Sequence, residues 1–134
     1  MKTGNLSSFA RAYIACALWS SNDESTPQGG EPMDANYSID DIDGETLATM
    51  SREADAFAAA HRSDIEAARL SDDRAGHCFW LNRNGHGSGF WDEKMTTAGD
   101  PESEVAACNR LSNASHAAGS RDLYAGDNGK IYQY

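Results

Sequence analysis

The chain has 134 residues, with 11 basic side chains against 21 acidic ones and a formal net charge of -10. That length suits a single domain, 1–134, with a modest core, and the charge argues against direct nucleic-acid binding, which needs Lys and Arg at the phosphates. No apolar run approaches the ~20 residues of a membrane span. The start, Met1-Lys2-Thr3-Gly4-Asn5, lacks the layout of a secretion signal, so a cytoplasmic protein is expected. Cys16, Cys78 and Cys108 are far apart and form no Cys-x-x-Cys pair, which fits reduced, mostly buried thiols.

Leu6, Phe9, Ala10, Tyr13, Ala17 and Leu18 recur at helical spacing and predict an amphipathic helix from about Leu6 to Trp19. Two prolines, Gly29-Gly30 and Asp23-Glu24 then predict a polar loop at about 20–37, with no element of its own. Asp43 is placed to cap a second helix, with Glu45 in its positive first turn. Leu47, Met50, Ala54, Phe57, His61, Ile65 and Ala68 carry the apolar stripe of that helix to near Leu70, before Ser71-Asp72-Asp73.

The next stretch holds two of the three tryptophans. His77-Cys78-Phe79-Trp80-Leu81 and Ser88-Gly89-Phe90-Trp91-Asp92 flank Asn84-Gly85, a dipeptide typical of two-residue hairpin turns. The register that follows sets Arg83 opposite His86, Trp80 opposite Gly89, Cys78 opposite Trp91 and His77 opposite Asp92. Beyond it, Asp100 as cap, Pro101 at the first helical position and Glu102 in the first turn signal a third helix, with Val105, Cys108, Leu111 and Ser115 on one face and Gly119 closing it. Leu123-Tyr124, a turn at Asp127-Asn128-Gly129, and Ile131-Tyr132 read as a second hairpin. The expected fold is α+β, in the order α-α-β-β-α-β-β. Three helices pack on a mostly antiparallel sheet formed by the two hairpins.

The hairpin register constrains chemistry. It holds His77 and His86 roughly 20 Å apart, at ~3.4 Å per residue, too far to share a metal ion. His77 beside Asp92 reads either as an oriented base or as an ordinary cross-strand ion pair. Trp80 over Gly89 reads either as core packing or as an aromatic recognition patch. Gly85-His86-Gly87-Ser88-Gly89 lacks the Lys-Ser/Thr and the following helix of a phosphate loop. Aligning Asp40-Asp41-Ile42-Asp43-Gly44-Glu45 as a calcium loop puts Ile39 and Met50 at ligand positions. No catalytic residue, metal or cofactor is therefore expected.

The segments Gly30 to Tyr37, Ala75 to Asp92 and Asp122 to Tyr132, with Ala17-Leu18-Trp19, resemble a family of small acidic proteins encoded by tailed bacteriophages and prophages. The resemblance spans most of the chain and centres on Phe79-Trp80-Leu81, Arg83-Asn84-Gly85-His86-Gly87 and Gly89-Phe90-Trp91-Asp92. This chain departs from the family pattern at Cys78, Asn82 and Gly44, where relatives carry an acidic residue, threonine and proline. The family has no catalytic residues to transfer. What the resemblance implies is an accessory protein acting in the cytoplasm of an infected host.

Small size, negative charge, surplus aromatics and absent catalytic machinery together favour a non-enzymatic role. The expected activity is binding, and inhibiting or redirecting, a host protein with a basic surface, with anti-CRISPR or other counter-defence activity as one version. Tyr37, Trp80, Arg83, His86 and Trp91 are the candidate binding residues. The alternatives are a small-ligand module or enzyme using the His77/His86 hairpin, and a minor virion component.

Overall fold

A computed structural model describes residues 6–23, 31–85 and 88–133. Its helices are α1 (Ser8–Ser20), α2 (Gly44–Ala60), α3 (Arg62–Ala67), α4 (Asp72–Arg83) and α5 (Glu102–Ala117). Two small ribbons accompany them: β1 (Asn22–Asp23) with β2 (Glu31–Pro32), and β3 (Leu123–Ala125) with β4 (Ile131–Gln133). The fold is thus mostly helical. The expected α+β sheet of two hairpins is wrong, because the first hairpin does not exist and the two ribbons are separate two-stranded sheets.

The segment expected as the hairpin's first strand is α4. Ser71 caps it, its hydroxyl accepting from the Arg74 N–H, and Asp72 and Asp73 occupy the positive first turn. Ala75, Cys78, Phe79, Trp80 and Leu81 are all buried, so the helix is enclosed around most of its girth. A two-stranded ribbon with two apolar faces would need a cover on each side and is marginal alone. A helix satisfies its own backbone and can bury every face among other helices. The strand expected after the turn is instead a single 3-10 turn, Phe90–Asp92.

Helix α4 lies at the centre, packed on α1 and α5 and touching α2. The close crossing with α1 depends on Gly76, where a Cβ would overlap the Phe9 carbonyl and crowd the Tyr13 nitrogen. Glycine in a helix interior costs about 1 kcal/mol relative to alanine, and here that cost permits backbone contact. The aromatic core forms around this crossing. Phe79 stacks on Phe57 at 3.9 Å between centroids and on Tyr13 at 5.1 Å, while Trp80 meets Tyr13 edge-on at 5.4 Å. The Trp80 indole N–H donates to the Ser20 hydroxyl at 2.7 Å, so the buried indole keeps its hydrogen bond.

Other expectations hold in part. Asp43 caps α2, accepting from the Thr46 N–H, and the stripe Leu47, Met50, Ala54 and Phe57 is buried. The helix does not run on to Leu70: it breaks at His61, whose backbone leaves the helical region, and α3 turns Ile65 and Ala68 inward on the α5 side. Pro101, not Asp100, takes the cap position of α5, and the Asp100 carboxylate accepts instead from the Met95 N–H at 2.9 Å. The 20–37 region contains the β1–β2 ribbon and a 3-10 turn at Met33–Ala35. The second hairpin is present, with Tyr124 opposite Tyr132, and it docks on the start of α2 through the Asp43 N–H to the Ile131 carbonyl.

Gly76→Ala separates packing from propensity. Propensity alone would stabilise α4, whereas the overlap with the α1 backbone predicts a net loss of about 1–3 kcal/mol in urea denaturation.

Candidate functional site

Arg83, at the end of α4, is 5% exposed. Its Nη1 donates to the Tyr13 hydroxyl at 2.9 Å, its Nε to the Gly119 carbonyl at 2.7 Å and its Nη2 to the Ala118 carbonyl at 3.1 Å. The last two groups belong to the C-terminus of α5, where orphan carbonyls and the helix dipole both favour a cation. The guanidinium also lies 5.0 Å from the centre of the Phe79 ring and 3.8 Å from the Glu53 carboxylate, which is shared with Arg121 and Gln133. Burial pushes the Tyr13 hydroxyl up to about 12, against the lowering effect of the adjacent Arg83 charge.

Asn82 and Asn84 extend this polar seam. The Asn82 amide donates to Ser112 at 3.0 Å and its carbonyl accepts from the Phe90 N–H at 2.5 Å, which ties the chain after α4 back onto α4 and α5. Gly89, at φ 143°, sits where a Cβ would strike the Asn82 side chain. Asn84 donates to the Trp80 carbonyl and accepts from the Arg121 N–H. The Asn-Arg-Asn-Gly run that looked like a hairpin turn is therefore a helix terminus fixed by buried polar side chains.

The candidate binding residues separate accordingly. Trp80 and Arg83 are buried and serve the core, and Tyr37 is half-buried. His86 lies outside the described residues. Trp91 is 42% exposed, and the expected pairing of His77 with Asp92 is replaced by other partners. The Asp92 carboxylate accepts from the Gly89 N–H at 2.9 Å, and the His77 ring lies 5.8 Å from that of Trp19. Trp19, missed as a candidate because it ends an apolar stripe, is 56% exposed. A signal was present: with Tyr13 and Ala17 on the inner face, Trp19 falls two positions beyond and points elsewhere.

Trp19 and His77 line an open groove of ≈ 530 Å³ between α1 and the start of α4. Ala12, Ala15 and Cys16 give it an apolar side, and Asp34, Asp73 and Arg74 give it charge. Arg74 is engaged, donating through Nε and Nη2 to both oxygens of Glu93. The Cys16 thiol is pushed up to about 12 by burial, so it is neither a thiolate nucleophile nor a ready ligand. His77 is held below its ordinary value by burial first and by the Arg74 charge second, with Glu93 opposing. Among the described residues no group of three or more His, Cys, Asp or Glu side chains could hold a metal ion.

No protein-family model matches the chain, and no curated protein or solved structure is detectably similar to it.

The depressed His77 value has a signed consequence. Its stabilising contribution is complete above pH 6.5, the ordinary value, and is lost as pH falls through the lower folded value, because the unfolded chain takes the proton first. Urea midpoints followed from pH 7.5 to pH 5 should fall less steeply in His77→Gln than in the parent chain.

Proposed function

We propose that this is a phage accessory protein that acts in the host cytoplasm by binding and inhibiting or redirecting a basic host protein. Anti-CRISPR or other counter-defence activity is one form of that role. The observation that carries the reading is a surface that combines surplus negative charge with exposed indoles. Arg62, Arg74, Arg83, Lys94, Arg110 and Arg121 are each paired with a carboxylate of the same chain. Asp34, Asp40, Glu45, Asp55, Glu66, Asp73, Glu102 and Asp127 are all exposed. Against that background Trp19 and Trp91 stand out into solvent, and tryptophan is the side chain most enriched in binding hot spots.

Negative potential speeds encounter with a basic surface and makes association sensitive to salt, while desolvated indoles hold the complex once formed. The anchors differ from those the sequence suggested, since Trp80 and Arg83 belong to the core and Trp19 joins Trp91 outside it. The family resemblance supplies the phage setting. The ≈ 530 Å³ groove favours a second reading, a module for a small ligand, since its volume falls in the range of small-molecule sites.

Affinity capture from bacterial host lysate at low and high salt checks the first reading. A specific partner should be retained at low salt and released at high salt, and Trp19→Ala or Trp91→Ala should weaken its binding roughly thirtyfold, the scale of one hot spot. Absence of any salt-sensitive partner, together with host defence unimpaired when the protein is expressed, would overturn it. A thermal-shift screen of nucleotides and metabolites tests the second, because a ligand bound only by the folded chain raises its melting temperature.

A further inference from the structure

We propose that the α1–α4 groove is a receptor for an arginine side chain presented by the partner, a step that rests on the protein-binding reading above. The groove pairs two features that a guanidinium on an aliphatic stem requires. One is an aromatic face: Trp19 is more than half exposed, with His77 beside it at 5.8 Å. The other is carboxylate: Asp34, on the turn after β2, and Asp73, in the first turn of α4, both line the groove and are both exposed. Ala12, Ala15 and Cys16 offer apolar surface for the methylene stem.

The positive charges that line the groove are partly offset. Arg74, which also lines the groove, donates to both oxygens of Glu93, which offsets part of its charge and holds its guanidinium to that carboxylate. The positive end of α4 is offset by Asp72 and Asp73 in its first turn. What remains is a negative rim beside an indole. Arginine suits it better than lysine, because a planar guanidinium stacks on an aromatic face and donates sideways to carboxylates at the same time, whereas an ammonium does so as a point charge.

The test uses capped Gly-Arg-Gly peptide as probe, with Gly-citrulline-Gly and Gly-Lys-Gly as controls, titrated into the isotopically labelled full chain. Saturable shifts should appear at the Trp19 indole N–H and the His77 ring. Affinity should fall in the order arginine, lysine, citrulline, with the uncharged citrulline at least roughly threefold weaker. Asp34→Asn and Asp73→Asn should each weaken the arginine peptide by about threefold, and Trp19→Ala should abolish the response. The two aspartate variants lie on exposed positions, so an unchanged amide spectrum elsewhere confirms that they fold.

Equal shifts from citrulline and arginine peptides, or no shift at Trp19 at any accessible concentration, would overturn the proposal. The wider reading is separable. A captured partner whose binding is salt-sensitive yet indifferent to Asp34→Asn, Asp73→Asn and Trp19→Ala would sink the arginine groove and leave protein binding standing. A groove that takes the peptide while no partner is captured would do the reverse.

Discussion

Arg83 carries a permanent charge into the packed interior, and the groups that receive it come from separate elements. They are the Tyr13 hydroxyl of α1, the Glu53 carboxylate of α2, and the Ala118 and Gly119 carbonyls past the end of α5. Removing a charge from water costs several kcal/mol unless geometry and hydrogen bonding repay it. Here the fork of donors repays it only when all these elements are in place. The packing of α4 among its neighbours and the position of this guanidinium are consequently one requirement.

The site at the surface depends on the same arrangement. Gly76 lets α1 and α4 approach until backbones touch, and the groove opens along this pair of helices, between Trp19 at the end of α1 and His77 one position after Gly76. Phe79, Trp80 and Arg83 face inward from α4 while His77 and Arg74 remain partly outside, so one helix supplies both the core and a wall of the groove. The chemistry that looked concentrated in the aromatic run is split by the helical period. Its buried half is structural, and its outer half is exposed to solvent.

How far the sequence could be read followed from what each segment buries. Helices α1 and α5 and the stripe of α2 have one apolar face each, so their spacing betrays them, and the Asp43 cap and the Asp127-Asn128-Gly129 turn announce themselves by residue type. Helix α4 has no such stripe. Enclosed by α1, α2 and α5, it buries Cys78, Phe79, Trp80 and Leu81 in succession, which erases the 3.6-residue signal and mimics a strand. Asn84-Gly85 compounds the ambiguity, because Asn and Gly end helices as readily as they turn hairpins. The deciding clue was Ser71-Asp72-Asp73, a cap followed by two acids, which marks a helix start rather than the end of the one before. The groove residues were illegible for another reason: Trp19, Asp34 and His77 meet only after α1 and α4 pack.

The central claim is that residues 72–83 form a helix whose terminus is held by an enclosed guanidinium. Backbone carbon chemical shifts over that segment, recorded with the Arg83 Nε–H resonance, test it in one experiment. Consecutive helical shifts up to Arg83, with an Nε–H signal that exchanges slowly with water because it is bonded to the Gly119 carbonyl, are the predicted result. Strand-type shifts from His77 to Leu81, with an Arg83 Nε–H that exchanges as in a free side chain, would contradict it.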